Sequence, residues 1–244
     1  MENEKKKGIN TNSNTYIIAY SVVLVIIVAF LLAFVSKGLE KRQNDNVALD
    51  KKKQILYSLN IRDINDEEAT KQYKEVVVAD NIIDVDGNII EEGKEGAEQT
   101  GFKLNSADKK NGKLALFICN VDGEKKYVVP VYGMGLWGAI YGYVAINDDG
   151  NTVYGAYFNH DSETAGLGAE IKDDVSWQEK FQGKTIFNED GNDVILAVKK
   201  KVDNEAAQVD AITGATLTSD GVSLMLHDDI ILYKKFFNNI KTNK

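Results

Sequence analysis

The sequence predicts an α+β protein, in which a single N-terminal transmembrane helix precedes a domain with a mainly antiparallel sheet and flanking helices. Residues 16–35 form an uninterrupted apolar run, and short β-type runs separated by turn residues fill the middle of the chain. Apolar residues then recur at helical spacing near its end. A chain of 244 residues can hold one such domain and an anchor without help from disulfides.

The apolar run reads YIIAYSVVLVIIVAFLLAFV, with Ser21 as its only strongly polar side chain and no charge. About 20 helical residues cross a hydrocarbon core of roughly 30 Å, and a helix satisfies its own backbone groups there. A cleaved signal peptide is the alternative, but this run is long for one and no small-residue cleavage site follows it. We therefore predict a polar tail over residues 1–15 and a retained transmembrane helix over 16–36.

The charges beside this span leave its orientation open. Lys5, Lys6 and Lys7 precede the span, and six basic residues follow it between residues 37 and 53. Counting basic residues would keep the large domain in the cytoplasm. A long soluble domain, however, translocates largely regardless of its charge, so charge alone does not decide the topology.

A juxtamembrane helical segment is predicted over residues 37–75. Apolar residues between 46 and 60 lie among lysines as in an amphipathic helix, and DEEATKQYKE forms a second helical stretch. The lysines can lie on a solvated face or contact anionic lipid headgroups. The composition becomes β-rich at Val76, so we place the C-terminal domain at residues 76–244.

Within this domain the β-type runs are LALFICNV, KYVVPVYG, AIYGYVAIN, TVYGAYFN and DVILAVKK, separated by Gly, Asn and Asp. The turn NDDGN between two of them predicts a hairpin. The only cysteine, Cys119, lies in an apolar run and is expected to be a buried small hydrophobe. Helical spacing between Val222 and Ile240 predicts a closing helix of about twenty residues.

Composition and missing motifs argue against several function classes. With 29 Lys plus Arg against 37 Asp plus Glu, a net charge of −8 opposes nucleic-acid binding, which needs a basic face. His160 and His227 are the only histidines, and their separation does not suit a metal-binding pair. No nucleophile elbow, phosphate-cradling lysine loop or dinucleotide glycine fingerprint occurs. We predict no catalytic residue and no metal site, and we do not expect the chain to bind NADH itself.

Three segments combine small residues with apolar or aromatic neighbours: GMGLWGAIYG, HDSETAGLGAEI and DAITGATLTS. Glycine lets a backbone approach a flat ligand closely, and the neighbouring side chains can sandwich a ring. Each segment taken singly could also be an ordinary turn.

The third segment offers four hydroxyls, on Thr213, Thr216, Thr218 and Ser219, just before the predicted closing helix. Free N–H groups and the positive dipole end stabilise a phosphate at such a helix start. Thr218 or Ser219 could equally serve as the N-cap of the helix, so an ordinary capped helix start is the alternative.

The run DAITGATLTS also resembles the attachment motif of FMN-binding domains, which reads Asp, two free positions, Ser or Thr, Gly, Ala, Thr. Asp210, Thr213, Gly214, Ala215 and Thr216 fill every fixed position. The resemblance implies FMN joined to Thr216 as a phosphoester by a separate flavin transferase that uses FAD as donor. It leaves Asp210 a role in recognition or local structure.

The resemblance extends over the anchor, VPVYGMGLWGAIYGYVAI and HDSETAGLGAEIKDDVSWQEKFQGK, and it is least informative over residues 40–112. The chain is similar to the C subunits of sodium-translocating NADH:quinone oxidoreductases. That similarity implies an electron relay in the inner membrane, working with other membrane and flavoprotein subunits. It also implies a flavin domain on the periplasmic side, against the charge count. The related G subunit of the ion-pumping ferredoxin:NAD oxidoreductase shares these features, but the wording GLWGAIYGY and ETAGLGAEI favours the quinone reductase.

Residues 76–244 are thus expected to form an FMN-binding domain. The residues predicted to bind FMN near its attachment point are Asp210, Thr213, Gly214, Ala215, Thr216, Leu217 and Thr218. Those predicted to line the ring site are Leu136, Trp137, Glu163, Thr164, Leu167 and Gly168. A packing role is the alternative for Gly166 and Gly168. A membrane-anchored binding or sensory module without electron transfer is the alternative function, while a purely structural anchor leaves the motif unexplained.

Overall fold

A computed structural model describes residues 11–96 and 98–242 of the chain. The lysines before the span and most of the predicted polar tail lie outside the described residues. The chain divides into two compact units, with the boundary between Ala48 and Leu49.

The first unit contains most of helix α1, Asn14–Ser58, whose start is fastened by a hydrogen bond from the Tyr16 N–H to Ser13 Oγ. In the described part of the chain, α1 is the one helix long and apolar enough to cross a membrane. Its apolar side chains over residues 16–35 are exposed. The predicted span and the first part of the predicted juxtamembrane segment therefore lie in one unbroken helix.

The second unit begins with the last turns of α1, which are followed by helix α2, Asp66–Val76. A capping box starts α2, because Asn65 accepts from the Glu68 N–H while the Glu68 side chain accepts from the Asn65 N–H. The chain then enters its first strand at Val77, so the predicted helix-to-strand change near Val76 is confirmed.

A six-stranded sheet of order β2-β1-β3-β4-β5-β6 forms the centre of the domain, with antiparallel pairing throughout. Its strands are β1 Val77–Ile83, β2 Ile89–Glu91, β3 Leu114–Val121, β4 Glu124–Met134, β5 Ala139–Asn147 and β6 Val153–His160. Four of the five predicted runs match β3 to β6, and NDDGN joins β5 to β6 as the predicted hairpin. Gly150 in that turn has a φ of 69°, which glycine adopts without strain.

The fifth run, DVILAVKK, contributes only the short strand β7, Ala197–Lys199, which pairs in parallel with β8, Gln208–Asp210. The ladder is short because β8 is only three residues long. The N–H of Val198 donates to the Ser223 side chain instead of a strand.

Alternation along the strands gives the sheet two buried faces. One face carries Leu116, Val144 and Phe158, which belong to the main core. The opposite face carries Phe117 and the fully buried Cys119, as predicted for this cysteine. Burial raises the pKa of its thiol, so it is an inert side chain.

Helices α3, Glu170–Asp173, and α4, Val175–Glu179, pack on β6. Helix α5, Thr216–Ile230, packs on β4 and β7, and helix α6, Lys234–Thr242, ends the described chain. The prediction of one closing helix was wrong, because a 3-10 turn at residues 231–233 separates α5 from α6. This turn lets the buried Tyr233 donate its hydroxyl to the Ala115 carbonyl and brings Phe237 into the core.

Candidate functional site

The three glycine-rich segments meet at one cleft beside the first turn of α5. They supply the turn after β4, the loop after β6 and the start of α5 itself. The cleft has a volume of about 180 Å³. It is lined by Leu136, Trp137, Glu163, Thr164, Leu167, Gly168, Gly214, Ala215, Thr216, Leu217 and Thr218.

The Glu163 carboxylate joins the three segments. Its Oε1 accepts from the backbone N–H groups of Trp137, at 2.8 Å, and Gly138, at 3.3 Å. Its Oε2 accepts from the Thr218 hydroxyl at 2.6 Å. Glu163 itself belongs to the loop after β6, where its N–H donates to His160 Nδ1 at 3.1 Å.

This carboxylate is only 7% exposed, yet its pKa lies below the usual value for glutamate. Burial raises the pKa, but the hydrogen bonds from Thr218, Trp137 and Gly138 together outweigh the burial. Glu163 is therefore ionised at neutral pH, with its charge held by three donors.

Glycines make room for this arrangement. A Cβ at Gly168 would lie 2.6 Å from Thr218 Oγ1 and would overlap Glu163 Oε2, and a Cβ at Gly135 would lie 2.5 Å from Glu163 Oε1. Gly168 therefore has the packing role that was its alternative interpretation. Gly166 differs, because its φ of 72° favours glycine while a Cβ there would meet nothing within 4 Å.

Thr216 is the first residue of α5, and its side chain is exposed. The prediction that Thr218 or Ser219 caps the helix was wrong, since the cap position is Ala215, which makes no side-chain capping bond. The helix starts earlier because Gly214 takes a φ of 81° and turns the chain into it. Thr218 and Ser219 consequently lie inside the helix, where Ser219 Oγ accepts from the Ile212 N–H at 3.1 Å.

Two predicted residues, Asp210 and Thr213, do not line the cleft. The Asp210 carboxylate instead pairs with Lys180 at 3.0 Å, and its backbone carbonyl accepts from Trp177 Nε1 at 2.8 Å. Sequence reasoning missed Trp177 and Lys180, which fasten the start of the attachment segment. Neither carries a local signal of contact with a residue some thirty positions away.

The rim of the cleft is apolar and open to solvent. Trp137 is 67% exposed, Leu217 60%, Leu136 48% and Leu167 42%. Exposed apolar side chains gathered around a polar interior are typical of a binding site. Thr216 therefore presents its hydroxyl at an apolar cleft next to an uncapped helix start.

A family model described as an FMN-binding domain matches residues 135–230, a range that contains the whole cleft. The C subunit of the Na(+)-translocating NADH-quinone reductase of Vibrio vulnificus strain YJ016 is 33% identical over 217 residues, covering 82% of this chain and 84% of the relative. The C subunit from Haemophilus ducreyi is 32% identical, covering 87% and 88%. The chain belongs to this C-subunit family.

Solved structures of the C-subunit family share the fold. The crystal structure of the C subunit from Parabacteroides distasonis superposes with a TM-score of 0.73 at 35% identity, covering 82% of this chain and 96% of that one. The structure from Shewanella oneidensis gives 0.65 at 25% identity, covering 81% and 99%. The predicted α+β architecture and the resemblance to the C-subunit family are thereby confirmed, and the names of these relatives support it over the ferredoxin-linked G subunit.

Proposed function

We propose that this chain is the electron-relay subunit of a sodium-translocating NADH:quinone oxidoreductase and carries FMN as a phosphoester on Thr216. One observation carries the proposal: the attachment motif ends on an exposed threonine at the uncapped start of α5, inside the matched FMN-binding domain. The relatives from Vibrio vulnificus and Haemophilus ducreyi support the assignment to this oxidoreductase complex.

The phosphate fits the start of α5. The first N–H groups of a helix have no acceptor within it, and together with the helix dipole they favour a phosphate. The hydroxyls of Thr218 and Ser219 are buried and already hydrogen-bonded, and Thr213 lies outside the cleft lining. Of the four hydroxyls, that of Thr216 suits the linkage best.

The ring fits the apolar rim. A cleft of about 180 Å³ is smaller than the roughly 300–1,000 Å³ of enclosed ligand sites, so it covers only part of a flavin. Leu136, Trp137 and Leu167 would hold that part, and the remainder would stay accessible to a redox partner. When bound, FMN supplies one-electron and two-electron redox chemistry, which the side chains here do not.

Attachment is assigned to a separate flavin transferase. The Thr216 oxygen would form a new bond to the phosphorus of FMN as the phosphoanhydride of FAD breaks, and AMP and the hydroxyl proton would leave. The only carboxylate lining the cleft, Glu163, has both oxygens engaged by donors and does not reach Thr216. A base supplied by the transferase is therefore required.

The membrane arrangement is part of the proposal. Residues 16–36 would anchor the chain in the lipid of the bacterial inner membrane, after a tail at 1–15. The segment 37–75 would lead to the FMN-binding domain at 76–244 on the periplasmic side. The long apolar helix α1 and the membership in a complex with other membrane and flavoprotein subunits support this arrangement.

The test is the mass of the intact, detergent-solubilised chain after co-expression with a flavin transferase. We expect an increment of one FMN less water that proteolysis maps to the peptide containing Thr216. Thr216→Ala should abolish both the increment and the in-gel flavin fluorescence after denaturation. Thr216→Ser should retain them, and Thr213→Ala is the matched control that keeps them. Persistent covalent flavin in Thr216→Ala would refute the assignment.

A further inference from the structure

One buried carboxylate connects the three segments of the cleft, and each connection is made by a different type of group. The turn after β4 gives two backbone N–H groups, α5 gives the Thr218 hydroxyl, and the loop after β6 carries Glu163 itself. Loops that connect secondary-structure elements are usually the mobile part of a site. Here two of the three segments are loops, and Glu163 binds both to the rigid helix.

The bonds of Glu163 reach the backbone beside the side chains that form the apolar rim. The Trp137 N–H that it accepts belongs to the Leu136–Trp137 pair, and Thr218 follows Leu217 directly. Leu167 lies next to Gly168, whose Cα packs against the carboxylate. Movement of the carboxylate would therefore release all the rim side chains at once.

The surroundings are shaped for this group. Gly135 and Gly168 leave no room for a Cβ on either side of it, and Thr218 is only 1% exposed. No cation is among the hydrogen-bond partners of Glu163 in the described chain, because all are neutral donors. The negative charge is therefore held in the wall of the cleft without being cancelled.

We propose that Glu163 is a positioning residue for the flavin, fixing the apolar rim before the ring arrives and placing a permanent negative charge in the wall of the ring site. The inference rests on the proposed function, since it takes the cleft as the place of the ring. A flavin gains negative charge when it is reduced. A fixed negative charge in a poorly solvated wall disfavours that gain and makes the flavin harder to reduce.

Two substitutions separate the positioning from the charge. Glu163→Gln keeps the shape: its amide oxygen accepts from Trp137 and Gly138, and its NH₂ group donates to a Thr218 hydroxyl that has rotated to accept. Glu163→Ala removes the connections altogether. Asp229→Asn, which neutralises a buried carboxylate in the last turn of α5, is the matched control.

The first measurement needs no flavin. In the full chain produced without a flavin transferase, Glu163→Ala should speed hydrogen exchange of the Trp137 and Gly138 amides at least tenfold. Glu163→Gln should largely restore the protection, and Asp229→Asn should not change it. Unchanged exchange in Glu163→Ala would overturn the positioning role even if the flavin is attached as proposed.

The second measurement is the midpoint potential of the attached flavin in the full chain. We expect Glu163→Gln to carry the flavin to the same extent as the wild type but with the potential shifted to a more positive value, whereas Asp229→Asn leaves it in place. An unshifted potential in Glu163→Gln would overturn the charge effect. Absence of covalent flavin in the wild type would instead refute the proposed function, which the exchange measurement does not depend on.

Discussion

The two ends of α5 each hold a buried carboxylate, and the protein treats the two groups in opposite ways. Glu163 at the first turn is 7% exposed and has a pKa below its usual value. Asp229 in the last turn is 3% exposed and has a pKa above its usual value. The first end opens into the cleft, while the second is closed by the buried Tyr233 and Phe237.

The difference lies in how far hydrogen bonds offset burial. At Asp229 burial raises the pKa more than the ion pair with Lys109 and the N–H of Tyr132 lower it. At Glu163 three neutral donors outweigh the burial. Well-placed neutral donors thus hold a charge at the open end of α5, whereas an ion pair does not fully compensate burial at the closed end.

The largest effect expected is from Gly221→Ala, which would disturb both ends at once. A Cβ at Gly221 would overlap the Met134 carbonyl oxygen and lie 3.3 Å from its carbon, so backbone rather than a flexible side chain has to move. Overpacking of this kind costs about 3 kcal/mol. Urea unfolding of the full chain in detergent should show this loss, together with reduced flavin attachment.

Leu224→Ala on the same helix is the control. Leu224 is 63% exposed, so its truncation should change the free energy of unfolding by no more than about 0.5 kcal/mol. Equal stability of the two variants would mean that α5 does not depend on its close approach to β4.

Asp229→Ala should come next and should affect stability without affecting the flavin. The Tyr132 N–H would lose its acceptor, because the pairing of β4 with β3 ends at Val128 and offers no replacement. An unsatisfied buried donor costs about 1–3 kcal/mol. Asp229→Asn should recover part of the loss, because its amide oxygen can still accept from Tyr132. A drop in flavin attachment with Asp229→Ala would show that the two ends are coupled.

Much of the fold follows from local patterns. Strands β3 to β6 alternate between two buried faces and are separated by clear turn residues, so each was predictable. The cleft was also largely predictable, because its eleven lining residues all lie in three short motifs. The resemblance joined these motifs into one site, which spacing alone did not.

What the sequence did not reveal depends on contacts between distant residues. The Glu163–Thr218 bond spans 55 positions, and the Lys180–Asp210 pair spans 30, with no periodicity that connects them. The helix start at Thr216 was missed because threonine and serine hydroxyls are good caps, yet here both are engaged by tertiary contacts. The break before α6 reflects the position of Tyr233 against β3, which no local signal specifies.

Acid should separate the two carboxylates with the smallest effect on stability. Glu163 has a lowered pKa, so its contribution is fully present above about pH 4.3, the ordinary value, and is lost as the pH falls through the lower folded value. Asp229 has a raised pKa, so the folded state binds its proton more tightly than the unfolded chain does. Its contribution therefore grows as the pH falls from the folded value towards about 3.9.

Carboxyl ¹³C shifts of the full chain, recorded as the pH is lowered from 7, should show Asp229 taking up its proton before Glu163. Glu163→Gln should remove the loss of stability at the lowest pH, and Asp229→Asn should remove the gain that precedes it. Exchange protection of the Trp137 and Gly138 amides should persist after Asp229 is neutral, since the connection through Glu163 is still ionised. Protonation of Glu163 first would mean that three neutral donors do not outweigh burial at the cleft.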